Sequence, residues 1–140
     1  MAITTSYFAV AKHLEGIKIS IARFNHPRIR NGIDEVINSF APSIDLLRNY
    51  KDKKIDWPQY RKRYTMEQRS HYKENPEDFE GLLERAEEED LVLLCYERYE
   101  GRRTKCHRLI LFDKLKKVAD SERYDIDFIE EQPYVKNKKS

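Results

Sequence analysis

A chain of 140 residues is long enough for one sizeable core and too short for two ordinary domains. Charged residues make up 37%, yet 27 Lys and Arg stand against 25 Asp and Glu, and the formal charge of +2 excludes a wholesale polyanion binder. Two cysteines are too few for a disulfide framework and stay thiols in a reducing cytosol, although a Cys95–Cys106 bridge is open to a thermophile.

The N-terminus, "MAITTSYFAVAKHLEG", lacks the basic start and long apolar stretch of a signal peptide. No run approaches the roughly 18 to 20 apolar residues of a membrane span. A soluble, cytoplasmic protein with no membrane partner is expected. In chain order, "IKISIARF" (17–24) alternates around β-branched residues and predicts a strand, followed by a turn-rich stretch with Pro27 and Gly32. "NGIDEVINSF" (31–40) places Ile33, Val36, Ile37 and Phe40 at helical spacing and predicts a short helix. "APSIDLLRNYKDKK" (41–54) predicts a helix capped by Ser43, with Ile44, Leu47 and Tyr50 on one face. A further helix opens at Asp56 and Pro58, with Trp57, Tyr60 and Tyr64 sharing a face. Another opens at Asn75 and Pro76 and turns Phe79, Leu82, Leu83 and Ala86 inward.

"LVLLCYE" (91–97) is apolar and of strand length, the pattern of a strand covered on both faces, and predicts the sheet centre. "CHRLILFDKLKKVA" (106–119) predicts a helix and "YDIDFIEE" (124–131) a closing strand, leaving 132–140 as a flexible basic tail beyond a single domain, 1–131. Strand, helices, strand, helix, strand is the order of an α/β fold. The expected architecture is one three-layer, Rossmann-like domain with a mostly parallel central sheet and helices on both faces.

Ligands in open α/β sheets settle at the carboxyl ends of strands. The first predicted strand releases Arg23, His26, Arg28 and Arg30 there, and the central one releases Arg102, Arg103, Lys105, His107 and Arg108. Thr104 is a candidate cap, which puts Cys106 and His107 in a first helical turn whose free amides, beside arginines, favour an anion and a thiolate. Arg23, Arg28, Arg102 and Arg108 are therefore candidate ligand-binding residues, and Cys106 and His107 candidate catalytic ones. Cys95, inside the apolar strand, reads as a small core residue. No metal is expected, because one segment offers at most Cys95, Cys106 and His107, and adjacent residues reach one tetrahedral ion with difficulty. No P-loop, G-x-G-x-x-G fingerprint or phosphatase-like Cys-x5-Arg loop is present, and no cofactor is expected. The basic face of "YRKRY" (60–64) with Arg69, His71 and Lys73, used together with the arginine loops, offers a rival reading, a non-enzymatic nucleic-acid-binding module; a structural or interaction domain is another.

Taken together, "APSIDLLRNYKDKKIDWPQYRKRY", "LVLLCYE" and "KCHRLILFDKL" resemble, in order and spacing, the domain of unknown function family 488. The resemblance spans roughly 17–118 and implies a small α/β domain of Rossmann-like layering. It marks Arg23, Pro42, Ser43, Tyr64, Cys95, Glu97, Cys106, His107 and Arg108 as the family's positions. Ile21 departs from that pattern, in which an acid often stands two residues before the arginine, and "RYEGRRTK" is longer and more basic than the usual link. With the basic loops, these positions point to a phosphate-bearing ligand, a nucleotide or a nucleic-acid end, as the partner. They leave the oligomeric state open.

Overall fold

The computed structural model describes residues 1–25, 32–101 and 103–131. Five strands form the sheet: β1 (Ala2–Tyr7), β2 (Ile17–Ser20), β3 (Glu35–Val36), β4 (Leu91–Cys95) and β5 (Asp127–Ile129). Four α-helices accompany them: α1 (Ile44–Lys51), α2 (Trp57–Glu74), α3 (Pro76–Glu88) and α4 (His107–Glu122). The strand order is β3-β2-β4-β1-β5, and every pairing is parallel. β4 is the centre, with Leu93 opposite Thr5 of β1 on one side and Ile19 of β2 on the other.

All five residues of β4 are buried, which is why its sequence is apolar without alternation. On one face Ile3, Ile19, Leu91 and Leu93 meet Leu46, Tyr60, Tyr64, Phe79, Leu83 and Leu111 from the four helices. On the other, Val92 and Leu94 meet Phe8, Val10, Ala11 and Leu14. That second layer is carried by a 3-10 helix, Phe8–His13, and not by an α-helix. The result is a three-layer α/β fold. No described helix is long and apolar enough to cross a membrane.

Local chemistry sets the helix starts. Asp56 accepts from the Gln59 amide at 2.9 Å while the Gln59 side chain accepts from the Asp56 amide at 2.9 Å, a reciprocal capping box opening α2. Ser43 caps α1 by accepting from the Leu46 amide at 3.2 Å, and Pro76 occupies the first turn of α3.

Several expectations are corrected. The sheet has two strands more than the sequence predicts. β1 hides behind polar residues, since Thr4, Thr5 and Ser6 are buried. The segment 31–40 is no helix: it forms β3 and a 3-10 turn, Asn38–Phe40. The reason is tertiary. Asp34 accepts from the Lys18 amide at 2.8 Å and its own amide donates to the Lys18 carbonyl at 2.8 Å, so the segment docks on the open edge of β2. In α1 the buried residue is Leu46, while Ile44 is 42% exposed. The strands also end earlier than expected, β2 at Ser20 and β4 at Cys95. The predicted tail, 132–140, lies outside the described residues.

Candidate active site

Parallel pairing carries the carboxyl ends of β2 and β4 to the same edge of the sheet. The chain leaves β2 through Ala22, Arg23 and Phe24, leaves β4 through Tyr96 and Glu97, and returns at Lys105 to start α4. These three segments enclose a cavity of about 380 Å³, with Tyr50 of α1 and Tyr60 of α2 forming part of its wall and Cys95, Cys106 and His107 lining it as well. Its volume falls within the range of small-molecule sites, and its mixture of aromatic walls and a few polar groups is typical of them.

Cys106, not Thr104, stands at the start of α4. Cys106 has extended backbone (φ −142°, ψ 138°) and makes no side-chain cap bond, while His107 begins the helix. Thr104 is spent on the preceding turn: its hydroxyl donates to the Gly101 carbonyl at 2.7 Å and accepts from the Glu100 amide at 2.6 Å. Gly101 takes the left-handed conformation this turn requires (φ +65°).

The His107 ring is fixed on two sides. Nε2 donates to the Ile21 carbonyl at 2.7 Å, and Tyr64 packs on the ring at 5.2 Å between centroids, with its own hydroxyl donating to the Phe40 carbonyl at 2.7 Å. A proton on Nε2 leaves Nδ1 unprotonated, and Cys95 Sγ lies off the ring, 3.8 Å from Nδ1 and 4.0 Å from Nε2. Both thiols are free and buried. Burial pushes the Cys106 thiol up, but its contacts with Cys95 and His107 and the nearby Arg108 charge outweigh it, holding Cys106 well below the ordinary thiol value. Cys95 goes the opposite way: its hydrogen bond to Cys106, its burial and the Cys106 charge raise it well above. The two thiols are thus pushed in opposite directions, Cys95 up and Cys106 down.

Arg108 follows immediately but turns away from the cavity and is 0% exposed. Nε donates to Thr5 Oγ1 at 3.4 Å, Nη1 donates to the Glu97 carbonyl, and Nη2 lies 3.7 Å from Glu131 Oε1. Among the described residues, Nη2 has no hydrogen-bond partner. Arg108 ties α4 to β1, to the end of β4 and to the chain beyond β5, while its charge acts on Cys106. Burial pushes the Glu131 carboxyl up to about 7 in spite of Arg108, which works against that rise.

A family model described as the active DUF488-N3 subclade matches residues 3–119. The chain belongs to that family. No curated protein and no solved structure matches it. In this DUF488-N3 chain the matched span runs from β1 nearly to the end of α4, so it takes in the whole cavity and omits β5 and Glu131.

Of the residues that the sequence singles out in this DUF488-N3 chain, Arg23, Lys105, Cys106 and His107 meet at the cavity, together with the family positions Pro42, Cys95 and Glu97. Arg23 Nε donates to the Pro42 carbonyl at 3.1 Å, which holds the side chain along the wall. Arg28 and Arg102, with His26 and Arg30, lie outside the described residues. Arg61, Lys62 and Arg63 are exposed on α2 while Tyr60 and Tyr64 face the core, as their spacing predicts. Tyr50 and Tyr60 were missed as site residues, because one tyrosine stripe serves both core and cavity wall. Cys95, expected as a small core residue, is buried and also lines the cavity.

Proposed function

We propose that this domain binds a phosphate-bearing ligand, a nucleotide or a nucleic-acid end, in the cavity between β2, β4 and α4. Arg23 and Lys105 face its phosphate, and the aromatic wall of Phe24, Tyr50 and Tyr60 takes its base. Its reacting atom lies over Cys106 and His107. The observation that carries this reading is the meeting, around one 380 Å³ cavity, of three cationic side chains, Arg23, Lys51 and Lys105, and one acidic side chain, Glu97, with two thiols and an imidazole. Arg23 brings a planar fork suited to phosphate and is already oriented by Pro42. Lys105 is an exposed point charge at the rim. The description of the subclade as active is in keeping with a site that keeps its reactive groups. Arg108, buried and bonded inside, acts here as a positioning residue that supports the turn.

Calorimetric titration with AMP, ADP and inorganic phosphate tests the reading. A charge-assisted hydrogen bond contributes roughly 1.5 to 3 kcal/mol, so Arg23→Ala is expected to weaken AMP binding about tenfold or more. Lys105→Ala is expected to weaken it a few-fold, and Arg61→Ala, on the far side of α2's apolar stripe, not at all. No heat with any of the three probes refutes the reading. So does equal weakening by Arg61→Ala, which points to diffuse attraction along α2.

A further inference from the structure

We propose that Cys95, Cys106 and His107 form a three-ligand site for a thiophilic divalent cation, zinc foremost, whose fourth position opens on the cavity. The donor atoms, two Sγ and one ring nitrogen, all lie within 4.8 Å of one another, and Cys95 Sγ is 3.8 Å from His107 Nδ1. Zinc bonds of about 2.0 to 2.3 Å in a tetrahedron set donors roughly 3.5 to 3.8 Å apart. The present spacing therefore closes onto an ion with side-chain adjustments of about an ångström.

Adjacent ligands are no obstacle, because the backbone changes from extended at Cys106 to helical at His107, and both side chains converge on the end of β4. The second observation is the hydrogen bond from His107 Nε2 to the Ile21 carbonyl at 2.7 Å. It fixes the proton on Nε2 and leaves Nδ1 as the unprotonated nitrogen, and Cys95 Sγ lies off the ring at 3.8 Å from Nδ1 and 4.0 Å from Nε2; ligating histidines are ordinarily held by such a bond from their other nitrogen. Two sulfurs and an imidazole select zinc over magnesium or calcium. Two thiolates cancel the charge of a divalent ion, so the site can be buried without a net charge. Structural zinc sites use four protein donors; three donors beside a cavity leave a place for water or a ligand oxygen.

The site goes beyond the phosphate reading and does not depend on it: the cation needs no phosphate to bind, and with it Cys106 serves as ligand. The test is titration of the chelator-treated full chain with Co²⁺ in phosphate-free buffer. One equivalent is expected to give thiolate-to-cobalt charge-transfer absorption with intense tetrahedral d–d bands, removed by one equivalent of Zn²⁺. Cys106→Ser and His107→Ala are each expected to weaken binding by at least roughly a hundredfold, more than the loss of a supporting partner costs. His13→Ala should change nothing. Should a variant fail to fold, alkylation of the wild type decides: Zn²⁺ is expected to protect both thiols together. Weak octahedral bands without charge transfer, unchanged affinity in Cys106→Ser, or thiols that Zn²⁺ leaves unprotected would overturn the proposal. AMP titration of the metal-free chain assesses the phosphate reading separately, so either can fail alone.

Discussion

Replacing Arg108 by Met keeps an unbranched apolar stem and removes the guanidinium with its charge and all its donors. Three groups lose a partner: Thr5 Oγ1, the Glu97 carbonyl and the Glu131 carboxyl. Thr5 retains its bond to the Glu130 carbonyl, and the Glu97 carbonyl lies at an exposed residue, so neither is left wholly unsatisfied. Glu131 has a carboxyl already pushed up to about 7, and it can take a proton when its cation is gone. Breaking a buried pair from one side costs about 3 to 5 kcal/mol, and these escapes place Arg108→Met near 3. Unfolding entropy of about 2.1 cal/mol/K per residue, over 140 residues, makes that a fall in Tm of about 10 °C. Calorimetry on wild type and variant reads the shift, and AMP titration well below the transition reads the site. The expected outcome is a large loss of stability with binding within a few-fold of wild type. A Tm within about 3 °C of wild type combined with abolished binding would falsify the supporting role and make Arg108 an anion ligand.

Two further outcomes follow from single contacts. With its carboxyl raised from 4.5 to about 7, folded Glu131 holds a proton that the unfolded chain has released, so its contribution is full below about pH 4.5 and is lost as pH rises through about 7. The shift corresponds to at most roughly 3 kcal/mol, reduced by partial solvent contact to about 1 to 2. Urea unfolding at pH 5 and pH 8 should show a decline that Glu131→Gln flattens; identical profiles for the two proteins would remove the assignment. Gly16 has φ +100°, and a Cβ there meets the Asp90 carbonyl oxygen at 2.8 Å, the same oxygen that accepts from the Ile17 amide where β2 starts. Gly16→Ala is expected to cost about 2 kcal/mol or more in urea titration, and a change under about 0.5 kcal/mol counts against the strain.

The architecture was legible where one residue pattern had one cause. Leu91–Cys95 is apolar throughout because both faces are covered, and α2 and α3 announce their starts through Asp56, Pro58 and Pro76. β1 was not legible, because Thr4, Thr5 and Ser6 look like surface; buried threonine is tolerated here since Thr5 can donate to the Glu130 carbonyl. The segment 31–40 misled for a different reason: its helical spacing was real, but the open edge of β2 offered hydrogen bonds to Asp34 and Ile37 that a short helix could not match. At the site, the position of Cys106 and His107 could be read from the chain, whereas the direction of Arg108 could not. Whether an arginine beside a helix start turns to the cavity or to the core depends on Thr5 and Glu131, which lie 103 residues before it and beyond the end of α4.

The bond between His107 and Ile21 joins segments 86 residues apart. The pieces of the cavity therefore lie far apart in an unfolded chain and assemble only as the sheet forms. Any molecule that occupies the finished cavity binds the folded state alone, and at a hundred times its Kd it adds about 2.7 kcal/mol to stability. By the entropy used above, that is a rise in melting temperature of about 9 °C. A panel of small molecules can therefore be screened by melting temperature alone, and a ligand found without an activity assay.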